Sequence, residues 1–296
     1  MSWLQISFDV DSAEAELAAE RLELAGASSV TFADAGDQPV LEPGPGETPL
    51  WPRIQVSALF SLATDPQTID HSLTQPAPLN TRSGLRVSRL EDRDWEREWL
   101  RDFSPMRFGQ RLWVCPGEQQ PPAKHGIVVR LDPGLAFGTG THPTTALCLR
   151  WLDGAKLDQR TVVDYGCGSG ILAIAAALLG ARKVIAVDND PQALIASRNN
   201  ARRNGVESCV DVYGPSEMPA VEADVVLANI LSGPLQDLAP TLTGMTRPGG
   251  QLVLSGLLSD QADGVAAAYG DGIDLDNRAE DQGWIRLSGH RRGRED

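Results

Sequence analysis

Cysteine is scarce in this 296-residue chain: Cys115, Cys148, Cys167 and Cys209 are scattered, with no CxxC pair and no metal-ligand spacing. That excludes a disulfide framework and a zinc module, leaves no metal to expect, and points to reduced, mostly buried thiols in the cytoplasm. Long apolar runs are missing too. The longest, Ile171 to Leu179, falls well short of the about 20 residues a bilayer-spanning helix needs. Met1 to Val10 lacks the basic-then-apolar pattern of a secretory leader, so no membrane association is expected. Positive charge is in deficit, 26 Lys and Arg against 40 Asp and Glu for a net charge of -14. Such a surface repels a phosphate backbone, so direct nucleic-acid recognition is not expected and cationic partners are favoured. No fixed-period repeat or low-complexity tract is present, and 29 glycines with 20 prolines are close to ordinary usage. Collagen, coiled coil and wholesale disorder are thereby excluded. What remains is a chain with 42% hydrophobic residues, long enough for about two domains.

The first 90 residues read β-α-β-β-α-β. Trp3 to Val10 alternates like a strand, and Ala15, Ala18, Leu22 and Ala25 recur at helical spacing until Gly26. Ser28 to Phe32 and Arg53 to Leu62 read as strands, Asp65 to Leu73 as a short helix, and Leu85 to Leu90 as a last strand. Between them, Pro39, Pro43, Pro45 and Pro49 mark 34–52 as a loop. This order suits a small ferredoxin-like α+β domain, a scaffold that names no function by itself. Trp95, Trp99 and Phe103 at i, i+4 and i+8 predict a helix with an apolar stripe, a packing surface in the first instance. After residue 160, short apolar runs alternate with helical stretches: Thr161–Tyr165, Lys183–Val187, Cys209–Val212, Ala223–Ala228 and Gln251–Ser255. Strands apolar on both faces and separated by helices predict a doubly wound, Rossmann-like parallel sheet.

The strongest local signal is Asp164-Tyr-Gly166-Cys-Gly168-Ser-Gly170, running straight from a strand into the helical Ile171 to Leu179. A glycine turn lets a ligand approach the backbone, and the helix start offers unpaired N–H groups. A dinucleotide fingerprint would place its third glycine at 171, where Ile171 stands, so hydride chemistry on NAD is disfavoured. Acidic-x-Gly-x-Gly-x-Gly instead resembles the first motif of class I S-adenosylmethionine-dependent methyltransferases. Asp188, at the end of the next strand, lies at the distance along the chain where a carboxylate accepts both hydroxyls of an adenosine ribose.

Asn229 closes the fourth strand on the carboxyl edge, where substrate meets cofactor. Its amide can hold an amine N–H and aim the nitrogen lone pair, or it can simply cap the next helix. Ile230 and Leu231 follow where nucleobase and glutamine methyltransferases carry prolines, and Ser232 stands where their aromatic would be. A stacking platform for a planar base is missing. The segment Asp132 to Thr145, rich in glycine and threonine, lacks the Gly-Lys-Ser/Thr of a P-loop and suits a loop closing over a ligand, with a helix starting at Thr144 or Thr145. His142 within it reads as a structural imidazole rather than a base.

Together Leu131–Thr145, Asp164–Leu172 and Asn229–Leu235 closely resemble the bacterial ribosomal protein L-eleven (L11) methyltransferases, with recognisable motifs from about Asp92 to the C-terminus. The resemblance implies a ferredoxin-like substrate-recognition domain over 1–90, a linker region with a helix over 91–130, and a methyltransferase domain over 131–296. It implies methylation of lysine side chains and the N-terminal amine of L11, up to trimethylation, with S-adenosylmethionine as donor. Cofactor contacts carry over to Thr145, Gly166, Asp188 and Asn229, joined by Asp164 and Gly168 of the glycine motif, and Asn229 is the catalytic candidate. Ser232 departs from the alanine common in the family. A monomer is expected. The rival readings are a methyltransferase for another protein or small-molecule amine, and a non-catalytic S-adenosylmethionine-binding module.

Overall fold

In Trp3–Asp11 (β1), Ile6, Phe8 and Val10 are buried while the residues between them are not, and Arg53–Ser61 (β3) repeats the pattern with Ile54, Val56, Ala58 and Phe60. The two strands pair antiparallel with Ile6 opposite Ala58 and Phe8 opposite Val56, so one face of the ribbon is apolar throughout. The helices Ser12–Leu24 (α1) and Pro66–Thr74 (α2) cover that face with Ala15, Ala18, Leu22, Ile69 and Leu73. Ser29–Asp34 (β2) and Ser83–Leu90 (β4) complete a four-stranded antiparallel sheet of order β2-β3-β1-β4. That is the ferredoxin-like arrangement the element order predicts.

This computed structural model describes residues 3–36, 50–75, 77–90, 104–122, 126–131 and 140–293. The chain divides into two compact units, 1–95 and 96–296. The expected helix carrying Trp95, Trp99 and Phe103 lies outside the described residues, as does 132–139 of the glycine- and threonine-rich loop.

The second unit begins with a surprise. Within 91–130, expected to be a linker region, and ending one residue beyond it, lies a three-stranded sheet of Met106–Phe108 (β5), Leu112–Pro116 (β6) and Ile127–Leu131 (β7). Phe108, Leu112, Val114, Val129 and Leu131 are buried in the core of this unit, so the segment is part of the domain and not a tether.

The main sheet has seven strands: Thr161–Tyr165 (β8), Lys183–Val187 (β9), Val210–Tyr213 (β10), Ala223–Asn229 (β11), Thr246–Leu258 (β12), Ile273–Asp281 (β13) and Trp284–Arg291 (β14). Their order is β10-β9-β8-β11-β12-β14-β13, with the first five parallel and β14 antiparallel between β12 and β13. Consecutive residues feed opposite cores: Val162, Val184 and Leu227 pack on one face, Val163, Ile185 and Val226 on the other. This two-sided burial is why the strands read as unbroken apolar runs. Helices Pro143–Gly154 (α3), Ile171–Leu178 (α4), Pro191–Arg203 (α5), Ser232–Asp237 (α6), Ala239–Met245 (α7) and Ala262–Tyr269 (α8) connect and cover them. Strand order reverses between β8 and β11, and ligands of open α/β sheets bind in the crevice outside the carboxyl ends at such a switch point. No helix among the described residues is long and apolar enough to cross a membrane.

Candidate active site

The turn from β8 to α4 opens the crevice. Gly166, Gly168 and Gly170 have φ of +80°, +53° and +80°, a backbone region that side chains disfavour. Space forbids side chains as well: a Cβ on Gly166 would sit 2.2 Å from Ile230 Cγ2, and one on Gly170 would sit 2.9 Å from Ser197 Oγ. Several bonds fix the turn in place. The amides of Gly166 and Cys167 both donate to the Val187 carbonyl at the end of β9 (2.7 and 3.0 Å). From α5, Ser197 Oγ donates to the Gly168 carbonyl and Asn200 Nδ2 to the Ser169 carbonyl, each at 2.9 Å. The N-cap of α4 is Gly170, which has no side chain to bond the first-turn amides; Asp164 takes only that of Ala173, so the Ile171 and Leu172 amides remain as donors for a ligand.

Asp188 reaches back to this turn. Its Oδ2 accepts from the Gly168 amide (2.8 Å) and its Oδ1 from the Asp190 amide (3.0 Å). A carboxylate has about four acceptor positions, so two stay available for a pair of hydroxyls. Asp190 in turn caps α5 by accepting from the Gln192 amide, 2.9 Å, with Pro191 in the first turn.

Asp164 lies beneath the turn with no exposed surface. Its Oδ2 accepts from the Ala173 amide in α4 (3.0 Å), while its buried Oδ1 has no hydrogen-bond partner among the described residues. Burial pushes its carboxyl up to about 7; the Ala173 amide works against that and the charge of Asp188 adds to it. Asp164 therefore anchors α4 to β8 from inside, a role the motif alone did not reveal.

Asn229 is not a helix cap, since Leu231 is the N-cap residue of α6. Its Nδ2 donates to Oγ1 of the buried Thr145 in α3 (3.3 Å), and its Oδ1 has no bonded partner among the described residues. The chain leaves Asn229 through Ile230, whose amide donates to the Ser255 carbonyl of β12 (3.1 Å). Beside it Gly256 has φ +91°, and a Cβ there would lie 2.2 Å from the Ile230 carbonyl oxygen. Gly256 was not among the expected site residues; an isolated glycine inside a strand, here at a register shift, was the available signal. Ser232 is buried in the first turn of α6, and Leu231 is exposed. His142 is the N-cap of α3: its Nδ1 meets Thr144 Oγ1 at 2.7 Å and accepts from the Thr144 amide, and its ring stands edge-on to Trp284. Desolvation lowers its pKa, so the imidazole is a neutral structural group.

The crevice thus brings together Gly166, Gly168, Asp188 and Asp164 on one side and Asn229 with Thr145 on the other. Among the described residues no cluster of His, Cys, Asp or Glu could hold a metal. Cys115, Cys148 and Cys167 are free and buried, and desolvation raises the pKa of all three, so their thiols are inert.

The raised carboxyl of Asp164 has a consequence for stability without ligand. Its folded value of about 7 lies above the ordinary 3.8, so its contribution is full below about pH 4 and is lost as pH rises through 7. Asp164→Asn, which keeps an acceptor for Ala173, should remove that slope. In urea unfolding between pH 4 and 7 the variant should gain on the parent by up to about 1.4 kcal/mol per pH unit. A pH-independent difference would show that Asp164 is ionised throughout.

A family model described as ribosomal protein L11 methyltransferase matches residues 2–292. The chain is 52% identical over 295 residues to a ribosomal protein L11 methyltransferase of Vibrio cholerae, covering 99% of this chain and 100% of the relative. It is 53% identical to one of Pseudomonas aeruginosa, covering 99% of each. Among solved structures, a ribosomal protein L11 methylase of Lactobacillus delbrueckii subsp. bulgaricus superposes with a TM-score of 0.59 at 32% identity, covering 64% of this chain and 99% of that one. With nearly its whole length matched, the chain belongs to the ribosomal protein L11 methyltransferase family.

Proposed function

We propose that this chain methylates amines of ribosomal protein L11, on lysine side chains and at the N-terminus, with S-adenosylmethionine as donor. The observation that carries the reading is the pairing of Asn229 with Thr145 across the switch point from the glycine turn and Asp188. The residues suit that donor. Asp188 has acceptor capacity for ribose hydroxyls, and the Ile171 and Leu172 amides at the start of α4 are open to a carboxylate. When bound, S-adenosylmethionine supplies a methyl group already activated on a sulfonium.

The protein's own task is then positioning and exclusion of water, effects worth about 7–11 kcal/mol when reacting atoms are held near attack geometry. Thr145 holds the amide nitrogen of Asn229, which leaves Oδ1 to accept an N–H of the incoming amine and orient its lone pair. A lysine amine, with an ordinary pKa of about 10.4, must shed a proton first. His142 is committed to capping α3, so solvent rather than that imidazole takes it. Residues 1–95, with a core of their own, serve in this reading to select the protein substrate.

Asp188→Ala should weaken S-adenosylmethionine binding by roughly 1.5–3 kcal/mol in calorimetry, the range for hydrogen bonds to a charged group. Asn229→Ala should fold normally and bind the donor, yet turn over L11 on the order of a hundredfold more slowly, since a displacement of about 1 Å costs that much. Parent-like turnover would move the amine-holding role elsewhere. A chain lacking residues 1–95 should keep its donor affinity and lose methyl transfer to L11; full transfer would show that the selector lies in the second unit.

A further inference from the structure

The amino ends of the parallel strands, on the opposite edge of the sheet from the methyl-transfer crevice, enclose a second concavity of about 610 Å³. It is lined by the last turn of α3 and by the starts of β8, β11 and β12. Arg150, Lys156, Arg160 and Arg247 face it, and Asp224 is the carboxylate among its lining residues. In a chain with a net charge of -14 this is a local reversal of sign.

Those cations are organised. One oxygen of Asp224, Oδ1, accepts from Arg160 Nη1 and from Arg247 Nε, both at 2.8 Å, and Oδ2 accepts from the Thr161 amide at 2.9 Å. Partial burial opposes ionisation of Asp224, but the amide and the two guanidiniums outweigh it and hold its carboxyl below the ordinary range. One carboxylate therefore fixes two guanidiniums and neutralises only one. Their remaining N–H groups are preorganised, and such forks match the oxygens of phosphate. Arg150 has an ion-pair partner in Asp281 (2.7 Å), whereas Lys156 has none among the described residues. Trp151 adds an aromatic surface, and a Cβ at Gly154 or Gly249 would meet nothing, so the backbone there is open to approach. The volume lies in the range of small-molecule sites, about 300–1,000 Å³, and far exceeds what one phosphate fills.

We propose that this cleft binds a nucleotide unit, with its phosphates on Arg160, Arg247 and Lys156 and its base against Trp151. The net acidity that argues against nucleic acid applies to the whole surface and not to this edge. Two sources share the chemistry, a free nucleotide and the backbone of a single-stranded RNA.

The test uses the full chain saturated with S-adenosylhomocysteine, so that the crevice is occupied, and titrates uridine diphosphate, inorganic phosphate and a labelled oligouridylate at low salt. Lys156→Glu is the diagnostic variant, because it breaks no ion pair and lies away from Asn229. Binding of either uridine probe, weakened about tenfold by Lys156→Glu, supports the proposal. Uridine diphosphate binding identifies a free nucleotide as sufficient. Binding of the oligomer alone, with a salt slope reduced by about one in the variant, identifies RNA. No binding by either uridine probe overturns it, as does affinity unchanged by Lys156→Glu. Inorganic phosphate binding as tightly as the nucleotides would also overturn it.

Discussion

Everything at the crevice depends on one close passage of backbone. Where the chain leaves β11, Ile230 runs between the glycine turn and β12, and it has room only because Gly166 and Gly256 lack side chains. Both glycines also hold a left-handed conformation, so size and backbone geometry are constrained together. Asn229 immediately precedes that passage. Its position relative to the glycine turn is thus set by packing, and α3 fixes its amide through Thr145. A reaction that needs alignment and little acid–base help is well served by a rigid junction of this kind.

The second organising force is electrostatic. Asp164 and Asp188 approach the turn from inside and outside, and between them they accept from the amides of Ala173, Gly168 and Asp190. They hold α4 against the sheet and fix the glycine turn from both sides. Burying Asp164 with an unpartnered oxygen is costly by itself. Such a cost is common where function and stability compete.

Much of this was legible in the sequence. The strands Thr161–Tyr165 and Lys183–Val187 were readable to the residue because burial on both faces makes them continuous apolar runs bounded by glycine and charge. The βαββαβ order of the first unit followed from clean alternation in β1 and β3. Three things were hidden. The strands β5, β6 and β7 are short, and their apolar residues serve a core shared with strands and helices distant in the chain, so local pattern carried little signal. Strand β13, Ile-Asp-Leu-Asp-Asn-Arg-Ala-Glu-Asp, is a polar edge strand ordered by its pairing with β14. The roles of Gly256 and Asp164 depend on contacts between residues far apart in the chain, which no local motif displays.

The central claim is that this crevice presents a protein amine to an activated methyl group. Mass spectrometry of intact and digested L11, after incubation with the purified protein and S-adenosylmethionine, tests it most directly. The account predicts mass gains in whole methyl increments confined to lysine side chains and the N-terminal amine, and accumulating about a hundredfold more slowly with Asn229→Ala. L11 of unchanged mass, from a preparation shown to bind the donor, would contradict it.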